Sequence, residues 1–210
     1  KLNNEEYENI NKYLINKNNG LTMAPSSLLN ENNKDYFLSI NIYNCTSPLF
    51  KFISKEPAIR CELNIYVKDK NNNRGTLIMD YESSILSMDP ENLFKKPGNI
   101  RFVNNYEFLE GNVYNENFIL EFSYNKFLNT LVNNKVSSSL VKFTDKIYYP
   151  NGYYDKLYYD SSLIHNKIID CKDYNVYFKF LDLEFTNIDN IFYFENKINF
   201  VGGLWENLYT

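Results

Sequence analysis

Hydrophobic and polar positions along this chain alternate more often than they recur at helical spacing. Residues 35–43 put Tyr36, Leu38, Ile40 and Ile42 on one face and Phe37, Ser39, Asn41 and Tyr43 on the other, the period of two that marks a half-buried strand. From Cys61 to Lys68 the chain alternates again, with Cys61, Leu63, Ile65 and Val67 set against Glu62, Asn64, Tyr66 and Lys68. A polar tip, DKNNNRG, separates this run from a second one at 76–81, so 60–81 reads as a β-hairpin. Further strands are expected at 49–53, 100–109, 113–123, 140–149, 153–159, 164–169, 175–185, 191–195 and 197–201. Gly111-Asn112 supplies the turn between 100–109 and 113–123, and Pro150-Asn151-Gly152 marks the clearest hairpin. The alternation of 35–43 and 175–185 places Leu38, Ile40, Leu181 and Leu183 in one core.

Helical spacing is confined to short stretches. Residues 4–18 set Tyr7, Ile10 and Leu14 on one stripe, with Gly20 as the C-cap. Residues 83–94 read as a short helix or two helical turns broken at Pro90, and 124–134 as a further helix. The total is about nine to eleven strands and two or three helices. It describes a mainly β chain, 1–210, forming a single domain: a large antiparallel β-barrel or curved double sheet, with the helix of 1–20 packed outside it.

The 210 residues are enough to bury a core. A net charge of −4 with no basic stripe speaks against nucleic acid as a partner, and no apolar run has the length of a membrane span. A homo-oligomer is left open. Cys45, Cys61 and Cys171 are odd in number and widely spaced, so free thiols and no structural metal are expected. This leans slightly towards an intracellular chain, and the Lys at position 1 leaves N-terminal processing open. His165 is the single histidine, which excludes a multi-histidine metal centre within one chain. No phosphate-cradling glycine motif appears, and no cofactor is implied.

Candidate chemistry gathers around 60–101. Lys95-Lys96 lie beside Pro97-Gly98. A lysine attacks a carbonyl as the free amine, and a neighbouring cation or desolvation favours that form. The other reading of the pair is two solvated charges at the end of a helical turn. Glu62 sits on the polar face of its strand, where it either handles protons inside a barrel or faces solvent. Asp80 has the same ambiguity. Arg60 and Arg101 flank the stretch and could clamp a substrate carboxylate, or serve in surface ion pairs. Arg74, at the hairpin tip, reads as solvated.

The order CELNIYV, polar tip, LIMDYESSILSMDP and NLFKK resembles the acetoacetate decarboxylase-like superfamily. The later SSLVKFTDKIYYPNGYYDKLYY and IIDCKDY look like an uncharacterised branch of it that generally lacks the lysine pair. The resemblance runs from about residue 20 onward. It implies a closed antiparallel barrel around a mostly apolar cavity. It also implies that Lys95 matches the Schiff-base lysine, Lys96 the lysine that lowers its pKa, and Glu62 an active-site glutamate. Proline follows the pair here, whereas in the family it precedes it. Two functions follow as expectations. One is a lyase acting on a small β-keto acid through a lysine imine; the other is a non-catalytic barrel binding an apolar small molecule or a protein partner.

Overall fold

The computed structural model describes residues 1–17, 20–25, 34–46, 58–89, 92–105, 107–125, 131–132, 146–150, 153–155, 158–159, 166–169, 174–185, 191–194, 198–201 and 206–207. Over these the fold is mainly β, with one helix, α1 (Asn4–Lys17). The first strands are β1 (Thr22–Met23), β2 (Leu38–Thr46), β3 (Ala58–Lys68), β4 (Arg74–Ser83), β5 (Ser87–Asp89) and β6 (Asn92–Lys95). A meander follows: β7 (Asn99–Asn104), β8 (Phe108–Tyr114) and β9 (Phe118–Asn125). Then come β10 (Leu131–Val132), β11 (Lys146–Tyr148), β12 (Tyr153–Asp155), β13 (Tyr158–Tyr159), β14 (Asn166–Ile169), β15 (Tyr174–Phe180) and β16 (Leu183–Phe185). The last three are β17 (Ile191–Phe194), β18 (Ile198–Val201) and β19 (Glu206–Asn207).

Two larger sheets carry the core. The first runs β13-β18-β2-β3-β4-β11-β12-β19, with β1 also paired to β3; the second runs β16-β15-β9-β8-β7. They share one hydrophobic cluster. Cys61, Leu63, Ile65 and Val67 of β3 and Leu77 and Met79 of β4 meet Val113, Phe118, Leu120, Phe178 and Phe180 of the second sheet. Tyr36, Leu38, Ile40 and Ile42 pack against it as the alternation expects. Helix α1 adds Ile10 and Leu14 to the same cluster, so its stripe is part of the core. Its first turn is closed by a reciprocal cap, in which Glu6 N donates to Asn3 Oδ1 and Asn3 N donates to Glu6 Oε2. Tyr13 joins helix to both sheets, donating to the Met79 carbonyl at 3.2 Å and standing edge-on to Phe180 at 5.9 Å.

The β3–β4 hairpin forms as its pattern predicts, and its tip is built around Asp69. That carboxylate accepts from the Asn71 and Asn73 backbone, the Asn73 side chain and the Tyr148 hydroxyl. Burial alone would raise the Asp69 carboxyl, but these donors outweigh it and hold it below the usual carboxylate range. Arg74 is exposed.

Several expectations are corrected. The described part of 83–94 is not helical: β5 and β6 pair antiparallel, and 90–91 lie outside the described residues. The proposed helix at 124–134 ends β9 at one side and begins β10 at the other, and 126–130 lie outside the described residues. Gly111 is not a turn residue. It sits mid-strand in β8, where a Cβ would lie 2.6 Å from the Phe122 ring, which uses that space. The meander turns instead at Asn105 and Asn115, whose side-chain oxygens accept backbone N–H groups two or three residues on.

The sheets are also not purely antiparallel, since β11 pairs parallel to β4 and β18 parallel to β2. Among the described residues neither large sheet closes on itself. The 153–159 strand is two strands, β12 and β13, that pair with different partners, β12 completing the expected hairpin with β11. Strand 49–53, His165 and Cys171 lie outside the described residues, as does the side chain of Cys45.

Nor is 175–185 one strand. The chain reverses at Leu181-Asp182, pairing Phe180 with Leu183. Leu181 is therefore not in the core; it stands at the tip, 41% exposed, and Phe178 and Phe180 fill the core in its place. Leu181 also takes φ of 54°, a conformation that strains any residue with a Cβ. Leu181→Gly is expected to raise stability by about 0.5–1 kcal/mol, the relief of strain less the extra freedom of glycine in the unfolded chain. Urea unfolding measures this, and a lower midpoint would mean that side-chain packing at the tip outweighs the strain.

Candidate functional site

Three polar residues of β3, Arg60, Glu62 and Asn64, do not face solvent. They are 5%, 9% and 3% exposed, so β3 is buried on both faces. A charge in such a place must be paired. Glu62 Oε1 accepts from Arg60 Nε at 2.5 Å and from the Tyr43 hydroxyl at 2.7 Å, and Oε2 accepts from Asn64 Nδ2 at 3.3 Å. Tyr81, opposite Glu62 on β4, lies under the Arg60 guanidinium, 4.2 Å from ring centroid to Cζ.

A β-bulge shapes the other half of the site. Leu63 pairs with Asp80 but Asn64 pairs with Ile78, so Met79 is an extra residue on β4. Beyond it the faces exchange. Asp80 and Glu82 come to lie opposite the core-facing Leu63 and Cys61, at the margin of the cluster shared by the sheets. There they meet the β8–β9 turn. Asn115 Nδ2 is 3.3 Å from Asp80 Oδ1, from Glu82 Oε2 and from the Tyr81 carbonyl, while Asn117 Nδ2 donates to Asp80 Oδ2 at 2.6 Å. Gly98 binds back on β4 through its N–H to the Ser83 carbonyl. A Cβ at Gly98 would fall 2.1 Å from Glu82 Oε1, so glycine lets that carboxylate lie against the returning chain.

This return carries Lys95 to Tyr81. Lys95 Nζ donates to the Tyr81 carbonyl, lies 3.5 Å from Glu82 Oε2 and stands 4.5 Å from the Tyr81 ring centroid. Three residues of the candidate set, Arg60, Glu62 and Lys95, thus gather around one tyrosine. Lys96 is exposed, and the cation that shares the Tyr81 ring with Lys95 is Arg60. Arg101 is not brought to the cluster. It lies on the outer face of the second sheet, 63% exposed, and pairs with Glu110 at 2.9 Å. Tyr43, Tyr81, Glu82 and Asn115 belong to the site without having been singled out from sequence. Tyr81 and Glu82, which follow Asp80 in DYESS, stood near a candidate.

The contacts state what these groups can do. The Glu62 carboxylate already accepts three donors, and every Lys95 contact is one an ammonium makes. Beside them Cys61 is a free, fully buried thiol. Burial pushes it well above its usual range and the Glu62 charge adds to this, while Arg60 opposes it; such a thiol is inert. Among the described residues no group of His, Cys, Asp and Glu is placed to hold a metal ion, and no helix is long and apolar enough to cross a membrane. No family model, no curated protein and no solved structure matches the chain.

Proposed function

We propose that this chain is a non-catalytic binding module, built on a curved double sheet of the acetoacetate decarboxylase-like kind in which the lysine serves structure. One observation carries the reading: Lys95 is held by Glu82 and by the carbonyl and ring of Tyr81. Imine formation needs a neutral amine with a clear line to a carbonyl carbon. Here the nitrogen would have to leave an ion pair, a hydrogen bond and a cation–π contact first. Glu62, the expected proton carrier, is likewise committed to Arg60, Tyr43 and Asn64. The place for a ligand is then on the surface, where a cleft lies over the outer face of the five-stranded sheet.

The lysine-imine lyase is the competing reading, and borohydride separates the two. Incubation with acetoacetate or a β-diketone at neutral pH, followed by reduction, is expected to leave no adduct on Lys95 above that on exposed lysines such as Lys96. A single adduct on Lys95, abolished by Lys95→Arg with the fold intact and shifted to higher pH by Lys96→Gln, would establish the lyase instead.

A further inference from the structure

The outer face of the second sheet differs in chemistry from the apolar cluster that the two sheets share. Arg101, Asn112, Glu121 and Tyr177 form one continuous cross-strand row over β7, β8, β9 and β15. Tyr114 stands in the next row on one side, and Glu110, Ser123 and Asn175 in the next row on the other. Together they surround a shallow cleft of about 520 Å³.

Tyr114 and Tyr177 are each 40% exposed, so both rings present surface to solvent on this face. Both are anchored by their hydroxyls: Tyr114 donates to Glu121 Oε1, and Tyr177 donates to Glu184 Oε1 at 3.4 Å. The Glu121 hydrogen bond pushes the Tyr114 phenol up. Tethered rings keep their orientation when a ligand arrives, which lowers the ordering cost of binding.

The lining of the cleft holds one cation, Arg101, against two carboxylates, Glu110 and Glu121. Arg101 is paired with Glu110, which leaves no surplus cation to recruit phosphate or sulfate. Asn112, Asn175 and Ser123 offer donors and acceptors together, and Glu121 an acceptor. A deep apolar pocket would suit a drug-like molecule, but this open cleft suits an extended ligand that lies flat. Ring platforms, mixed amide and carboxylate partners and a lining whose cation is already paired together fit a chain of polyhydroxylated rings. Each sugar ring has an apolar C–H face to stack and an equatorial rim of hydroxyls to hydrogen-bond.

We propose that the outer face of the five-stranded sheet binds a neutral oligosaccharide, with Tyr114 and Tyr177 as stacking platforms and Asn112, Glu121 and Asn175 as hydroxyl partners. This rests on the binding-module reading above and names its ligand class.

The test uses the full chain on an array of neutral glycans, with heparin oligosaccharide as the anionic control, followed by calorimetric titration of the best neutral probe. Saturable binding to a neutral glycan, insensitive to added salt, is expected. Tyr177→Ala and Tyr114→Ala should each weaken it about tenfold or more, the loss of one stacked ring, while Tyr114→Phe retains the ring and most of the affinity. Because both tyrosines are surface residues, unfolding midpoints of the variants report separately that the fold persists. The proposal is overturned by an array with no neutral glycan bound, by binding unchanged in both alanine variants, or by binding confined to heparin and lost with salt. Self-association of the chain abolished by the same alanine substitutions, with no glycan bound, would also overturn it and assign the face to a second copy. None of these outcomes bears on Lys95, so borohydride trapping there tests the underlying non-catalytic reading independently.

Discussion

Glu62→Ala is expected to destabilise the protein by about 3–5 kcal/mol, among the largest losses any single substitution here should produce. The carboxylate it removes meets a guanidinium that is 6% exposed, and the same carboxylate is the acceptor for Tyr43 and Asn64. Breaking one half of a buried ion pair leaves a charge that water cannot reach, and the cost is mostly that desolvation. Glu62→Gln keeps the shape and an acceptor for the Tyr43 hydroxyl, so its loss should be smaller, though still well above the half kilocalorie typical of surface changes. Urea unfolding with an unchanged denaturant slope would measure both. A midpoint for Glu62→Ala close to that of the parent would mean that this face of β3 is hydrated and that Glu62 is available for chemistry.

The second large effect concerns the register of the segment after residue 174. Phe180→Ala should cost about 3–5 kcal/mol, the transfer of a buried ring plus the cavity left behind. Phe180 is 1% exposed, is packed within the cluster joining the two sheets, and touches α1 through Tyr13. Leu181→Ala, one residue on, should change stability by no more than about 0.5 kcal/mol, because the tip side chain has little to lose. An uninterrupted strand over 175–185 with Leu181 and Leu183 inward would give the reverse order. Thermal and urea melts of the two variants therefore decide between a strand and a hairpin.

These pairs of residues also show where local pattern stops being informative. Alternation correctly assigned the core-facing set of β3, because Cys61, Leu63, Ile65 and Val67 are apolar wherever the strand is placed. It likewise placed Tyr36, Leu38, Ile40 and Ile42 against the core, and the helical spacing of Tyr7, Ile10 and Leu14 assigned α1. Its weak points were turns and breaks. Gly111 reads as a turn because glycine is common there, whereas this one leaves space for the Phe122 ring of the neighbouring strand. Residues 83–94 carry helix-like spacing too short to outweigh the backbone pairing of β5 with β6.

The candidate site divides in the same way. Sequence by itself determined that Arg60, Glu62 and Asn64 share one face of a strand and that Asp80, Glu82 and Lys95 lie within a short reach along the chain. Period-two patterning says which side chains are neighbours on a face, but nothing about what covers that face. Tertiary structure decided that β3 is buried on both sides, so its polar residues had to neutralise one another. It also decided, through one extra residue at Met79, that Asp80 and Glu82 turn to the margin of the core, where Asn115 and Lys95 meet them. A bulge has no signature in composition, and its consequence depends on a turn some thirty residues away. Whether a lysine is a nucleophile or a structural cation is settled by such non-local partners, because the free energy that holds its proton comes from the groups around it.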